Sequence, residues 1–168
     1  MTTDHLKPRR PEDSATETVH VVLPNDANPA GFMLGGSVMH LIDLAGAIAS
    51  RRHTRSRVVT ASVDSVEFLH PVKIGDLLIL RSRVTCVFHT SLEVEVEVVS
   101  EESLTGTRRL TSRAFLTFVG VDEKGSPIPI PPLLVESDDD TPRAETARAR
   151  RAQRLEARER LASDNFSL

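Results

Sequence analysis

The chain has 168 residues and 39% hydrophobic side chains, enough for one domain with a sizeable core and room for tails. Its 21 Lys+Arg nearly balance 24 Asp+Glu, and between residues 18 and 135 the balance holds at 11 basic to 12 acidic. The basic footprint of a general nucleic-acid binder is therefore missing. Six Phe, no Trp, no Tyr and one Cys (Cys86) exclude a tyrosine acid or nucleophile, an intramolecular disulfide and any multi-cysteine metal site, and leave little for a stacked-aromatic platform.

Residues 1–17 are polar and proline-containing, without the apolar stretch of a secretory signal, and read as a flexible arm. No run approaches the ~20 apolar residues of a membrane helix, so a cytoplasmic protein with no membrane and no nucleic-acid partner is expected. The core, 18–135, opens on a short strand, Thr18 to Leu23. A loop rich in turn formers follows, Asn25 to Gly36, and then a helix over about Gly36 to Arg52. That helix is apolar almost all round, so it is predicted to be buried.

Val58 to Phe68 alternates as a strand, with a slip near Asp64-Ser65 that predicts a β-bulge or a bend there. A turn at Lys73 to Asp76 precedes a strand from Leu77 to Phe88, in which Cys86 reads as a small buried hydrophobe. Leu92, Val94, Val96 and Val98 alternate with Glu93, Glu95 and Glu97, the pattern of a half-buried strand with one wet face. Phe115 to Val121 is a last strand. Pro127 to Pro132 ends the core, because such a run enters neither a central strand nor a helix interior.

The tail, 136–168, opens with Ser137 to Pro142 and is predicted to be a polar helix over 143–162, with Asp140 or Thr141 as cap and Pro142 at its first position. One buried helix wrapped by a curved antiparallel sheet is the economical solution, an α+β fold.

On the predicted helix, Gly36, His40, Asp43, Ala47 and Ser50 fall on one narrow stripe. Asp43 sits between Ile42 and Leu44, where a carboxylate is costly unless paired or used. It is a candidate general base, the alternative being a hydrogen bond to a neighbouring loop or subunit. His40, one turn away, either tunes Asp43 or packs at an interface. The loop before the helix ends in Gly35-Gly36, where free N–H groups and the positive end of the helix dipole suit an oxyanion; an ordinary turn is the alternative. P-loop, dinucleotide-fingerprint, G-x-S-x-G and H-E-x-x-H motifs do not occur.

Pro24-Asn25-Asp26-Ala27-Asn28-Pro29-Ala30-Gly31 leading into Gly35-Gly36, Met39-His40-Leu41-Ile42-Asp43 with Ala45-Gly46, Val58-Val59-Thr60, Phe68 to Asp76, and Phe115 to Asp122 together resemble the hotdog-fold acyl-CoA thioesterases of the bacterial broad-specificity and brain-type cytosolic group. The resemblance runs from about Val21 to Asp122. It implies a hotdog fold, acyl-CoA hydrolysis, and a homodimer with active sites at its interface, often assembled further as a trimer of dimers. It further implies a catalytic pair of Asn28 and Asp43 contributed across that interface, with the Gly36 N–H at the thioester carbonyl and Gly35 beside it. Asp43 would act as general base or as nucleophile.

The pantetheine is expected along Val58-Val59-Thr60 and His89-Thr90-Ser91. Arg57, in the group Arg51, Arg52, Arg55 and Arg57, is the first candidate for the CoA phosphates and Arg113 the second; the alternative for that group is favourable placement at a helix C-terminus and solubility. No metal is expected, and no cofactor beyond the CoA of the substrate. A non-catalytic acyl-CoA sensor and a hydratase or dehydratase on the same scaffold are the rival readings.

Overall fold

Val38, Ile42, Ala45 and Ala49 recur at helical spacing, and in the structure, a computed structural model that describes residues 6–136 and 139–164, they form the buried stripe of helix α1 (Gly35–Thr54). The helix ends where Arg55 takes a left-handed conformation (φ 53°), with Arg51 and Arg52 in its last turn, where cations complement the dipole. Five strands follow the sequence pattern: β1 (Thr16–Val21), β2 (Arg57–Val63), β3 (Leu77–Val87), β4 (Ser91–Glu101) and β5 (Arg108–Val121). They form one antiparallel sheet in the order β1-β3-β4-β5-β2. The stripe of α1 packs with Leu78, Leu80, Leu92, Val94, Val96, Val98, Leu116 and Phe118 in a single core, as expected for one helix on an antiparallel sheet.

Two close approaches fix α1 on the sheet. Ser82 Oγ donates to the Ala45 carbonyl at 2.9 Å. Gly46 faces the Phe118 ring so closely that an added Cβ would stand 2.9 Å from it. A second compact unit starts at Val135 and contains helix α2 (Asp140–Asp164), with Pro142 in its first turn. Ser137 and Asp138, where the tail was expected to open, lie outside the described residues.

Five expectations are corrected. Of the arm, 1–5 lie outside the described residues, but 9–17 are built into the fold and β1 starts at Thr16 rather than Thr18. Arg9 bridges Leu133, its N–H donating to the Pro132 carbonyl at 3.0 Å and its own carbonyl accepting from Leu134 at 2.8 Å, while Ser14 is fully buried. The helix is not buried all round: Met39, Leu44 and Ile48 are 38–46% exposed in a single chain.

The wet face of β4 is largely dry, since Glu93 and Glu95 are buried. Glu93 accepts a 2.8 Å hydrogen bond from Thr85 Oγ1, and Glu95 lies 3.4 Å from the Arg113 guanidinium. The register slip in the second strand falls at Ala61, between Thr60 and Ser62, rather than at Asp64-Ser65, which lie beyond the end of β2. The last strand starts seven residues early, because Arg108 and Arg113 ion-pair with Glu101 and Glu97 directly across the ladder, an alternation that a reading of apolar residues overlooks.

His53 joins the arm, the end of α1 and the proline-rich stretch. Its ring is fully buried, with Nε2 at 2.8 Å from the Pro131 carbonyl and Nδ1 without a partner. The Pro131 contact assigns the tautomer, Nε2–H donating. Burial holds its pKa below the usual 6.5, and the nearby Arg9 pushes the same way, against weaker opposition from the Pro131 carbonyl and Asp13. A histidine kept neutral by the fold contributes stability that is whole above about pH 6.5 and is lost as pH falls from there through the lower folded value. The melting temperature should therefore drop between pH 7 and pH 5, and His53→Gln should flatten that drop. An equal slope in the variant would assign the drop to other groups.

Candidate active site

The loop before α1 is held by two acidic or amide side chains that bond its own backbone. Asp26 Oδ2 accepts from Leu23 N–H at 2.9 Å, and the Asp26 carbonyl accepts from Leu34 N–H at 2.8 Å. Asn28 Oδ1 accepts from Ala30 N–H at 3.0 Å and Phe32 N–H at 3.2 Å, the geometry that makes Asn a turn former. Those two bonds occupy the amide oxygen and leave Nδ2 as the free group, so Asn28 is oriented as a donor. Gly31 supplies the positive φ (82°) of the turn.

The loop delivers the chain to an uncapped helix. Leu34 occupies the N-cap position without a side-chain bond, and the first turn has no acidic residue. Val38 N–H bonds the Leu34 carbonyl, and the N–H groups of Gly35, Gly36 and Ser37 precede the first intrahelical bond. A Cβ at Gly36 would meet nothing within 4 Å, so the space beside this residue is open, and Gly36 lines the cavity described below. Gly35 is overlain by the Phe68 ring, 3.3 Å from an added Cβ.

Asp43 lies on the same stripe two turns on, about 10 Å along the axis from Gly36. It is half-buried rather than enclosed, and its Oδ1 accepts from Thr60 Oγ1 at 2.7 Å. Thr60, expected along the pantetheine path, thus bonds the carboxylate; Val58 and Thr60 face α1, opposite Gly120 and Phe118 of β5. Within one chain the structure does not bring Asn28 and Asp43 together, since each bonds only its own surroundings.

The other candidates fall at one end of the sheet. Val59 pairs with Val119 and Val119 with Ser91, so Val59 and Ser91 share a row across β2, β5 and β4. The Thr90 carbonyl accepts from Gly120 N–H at 2.9 Å, which holds the His89-Thr90-Ser91 turn beside the start of β2. Arg57, at that start, is exposed and 3.7 Å from Glu123. Arg113, the second candidate, pairs with Glu95 and Glu97 on the sheet face turned away from α1.

Sequence reasoning missed one pair. His20 Nε2 on β1 lies 2.9 Å from Asp26 Oδ2. That hydrogen bond, with the Leu23 N–H, holds the Asp26 carboxyl below its usual 3.8. The two residues line an open cavity of about 420 Å³ with Gly36, Ser37, His40 and Leu41. The signal was faint, a histidine six residues before an aspartate in different elements. His40 is exposed there, a wall of this cavity. Among the described residues no cluster of His, Cys, Asp or Glu has the makings of a metal site, and no helix is long and apolar enough to cross a membrane.

Residues 30–107 match the model of the thioesterase superfamily. The chain is 42% identical over 119 residues to YkhA of Bacillus subtilis, an uncharacterised acyl-CoA thioester hydrolase, covering 71% of this chain and 69% of that one. It is 32% identical over 142 residues to the cytosolic acyl coenzyme A thioester hydrolase of Rattus norvegicus, covering 83% of this chain but only 37% of that longer protein.

Among solved structures, an acyl-CoA hydrolase from Bacillus cereus superposes with a TM-score of 0.89 at 31% identity, over 96% of this chain and 99% of that one. An apo hexameric acyl-CoA thioesterase gives 0.85 at 41%, over 90% and 97%. An acyl-CoA hydrolase from Staphylococcus aureus, solved with butyryl coenzyme A, coenzyme A and coenzyme A disulfide, gives 0.81 at 32%, over 92% and 97%. That protein has also been solved with an Asp, an Asn and a Thr each replaced by alanine.

Proposed function

The chain belongs to the thioesterase superfamily, and on that footing we propose that it is an acyl-CoA hydrolase whose working parts are Asp43, Asn28 and the free N–H groups at the start of α1. The observation that carries this reading is the pairing of an uncapped, glycine-lined helix start with an asparagine whose oxygen is already bonded. Both present donors, and the developing negative charge on a thioester carbonyl oxygen needs donors. Asp43 supplies the missing acceptor. As general base it takes a proton from water while the water oxygen bonds the carbonyl carbon; the tetrahedral intermediate then expels the CoA thiolate, which leaves protonated as the thiol. Direct attack by Asp43 gives the same products through a mixed anhydride, which water then cleaves. Thr60 holds the carboxylate in place in either case.

The 10 Å between Gly36 and Asp43 is too long for one carbonyl to meet both within a chain. We therefore assign the loop and helix start to one copy and Asp43 to a second, in a cytoplasmic homodimer. Support comes from the apolar surface a single chain leaves open, Met39, Leu44 and Ile48 on α1 with Val59 and Val63 on the edge strand β2, and from the hexameric neighbour. The pantetheine would follow the Val59 and Ser91 row, with Arg57 toward the phosphates.

The test is thiol release from a panel of acyl-CoAs, with Asn28→Asp beside the wild type. Asn28→Asp keeps the oxygen that caps the loop and removes the donor, so kcat should fall about 10²–10³-fold. Full activity in Asn28→Asp would overturn the donor role. Acyl-CoA binding without thiol release by the wild type would overturn hydrolysis in favour of a sensor, and water addition to an enoyl-CoA would favour a hydratase.

A further inference from the structure

The loop that carries Asn28 is fastened unevenly. Its second half is tied to the neighbouring segment by backbone bonds: Met33 N–H to the Val72 carbonyl at 2.8 Å, Ile74 N–H to the Gly31 carbonyl at 3.2 Å, and a bridge between Phe32 and Lys73. Its first half, Pro24 to Asn28, bonds only within the loop and the adjoining Leu34, with one exception. That exception is His20 Nε2 on Asp26 Oδ2, which is the one bond, among the described residues, that fastens this half to the sheet.

His20 is itself well placed to be rigid. It lies in β1, opposite Leu78 of β3, and the partners are only part-exposed, 33% for His20 and 23% for Asp26. Asp26 uses the same oxygen to accept from Leu23 N–H, and its carbonyl accepts from Leu34 at the head of α1. A displacement of Asp26 is therefore passed in one direction to Asn28, two residues on, and in the other to the helix start. The cavity walled by His20, Asp26, Gly36, Ser37 and His40 puts the pair beside the amides that receive the carbonyl.

We propose that His20 is a positioning residue for the hydrolytic site: by holding Asp26 it sets where the Asn28 donor stands relative to the α1 amides. This rests on the donor role of Asn28 given above. A donor misplaced by about 1 Å loses most of its worth at the transition state while substrate binding, which draws on the whole CoA, is little changed.

The experiment compares steady-state kinetics of full-length His20→Ala, His20→Gln, Asn28→Ala and the His20→Ala/Asn28→Ala double variant, with circular dichroism confirming that each is folded. His20→Ala should lower kcat about 10-fold and leave KM within about twofold. His20→Gln, whose amide can still donate to Asp26, should recover most of that rate. In the double variant the His20 change should cost nothing beyond Asn28→Ala, since a positioning effect vanishes with the group positioned. Full activity of His20→Ala while Asn28→Ala is impaired would sink this inference alone. Full activity of Asn28→Ala would sink the donor role on which it depends. A multiplicative loss in the double variant, or a rise in KM without a fall in kcat, would give His20 a separate role and also overturn the proposal.

Discussion

Asp43→Ala should lower kcat about 10²–10³-fold with little change in KM, and Asn28→Ala should do nearly the same. Neither side chain supports the core: Asp43 is half-buried with one hydrogen bond, and the bonds of Asn28 stay within its loop. Both variants should fold. The sharper result comes from expressing the two together. If Asn28 and Asp43 meet across an interface, a mixed dimer has one site with both defects and one with neither. Random pairing then restores about a quarter of wild-type activity from two nearly dead parents. If each chain housed its own site, every site in the mixture would carry one defect and nothing would be recovered. Thiol release from the co-purified mixture decides between them.

The second large effect concerns the seat of α1. Gly46→Leu should unfold the domain or lower its melting temperature by about 10 °C or more, whereas Gly46→Ala should shift it by only a few degrees. A Cβ at Gly46 would lie 2.9 Å from Cε2 and 3.0 Å from Cζ of Phe118, a ring that is itself fully buried. Alanine gains about 1 kcal/mol of helix propensity over glycine, against about 1–3 kcal/mol for overpacking, so the two nearly offset. Leucine adds three more carbons in the same place, and α1 cannot back away while Ser82 holds the Ala45 carbonyl. Thermal unfolding followed by circular dichroism checks both. A Gly46→Leu protein as stable as the wild type would mean that the helix slides on the sheet.

Much of the architecture was readable because its causes are local and periodic. Val38, Ile42, Ala45 and Ala49 betray the core face of α1, and Leu92, Val94, Val96 and Val98 that of β4. Asp43 stood out because a carboxylate amid Ile42 and Leu44 has no local excuse. What escaped depends on residues far apart in the chain. Glu93 looks like a solvent-facing residue of an alternating strand, and only the partner Thr85 on β3 shows how it is accommodated in the interior. The start of β5 is hidden because Arg108 and Arg113 are satisfied by Glu101 and Glu97, not by burial of apolar surface. His20 and Asp26 carry no motif between them.

The same limit applies to the candidate site. Asn28, Gly36 and Asp43 could be picked out, but the bonded state of the Asn28 oxygen, which decides whether it donates or accepts, is a property of loop geometry. Arg113 shows the same limit from another side: the two glutamates beside it are visible only in the register of the sheet.

The extra residue at Ala61 has a consequence for how this strand can vary. Upstream of it Val58 and Thr60 face the helix; downstream Val63 does, opposite Leu116. Thr60 and Ser62 pair with the adjacent residues Phe118 and Thr117, so Ala61 is a residue that the ladder of β5 does not count. Without it Thr60 would run straight into Ser62, and Val58, Thr60 and Val63 would still face the helix. The extra residue therefore adds a bend and leaves every face as it was. Exchange of the exposed alanine and its deletion should both leave the Thr60 hydroxyl on Asp43, and a loss of thiol release on deletion alone would mean that the bend itself aims that hydroxyl.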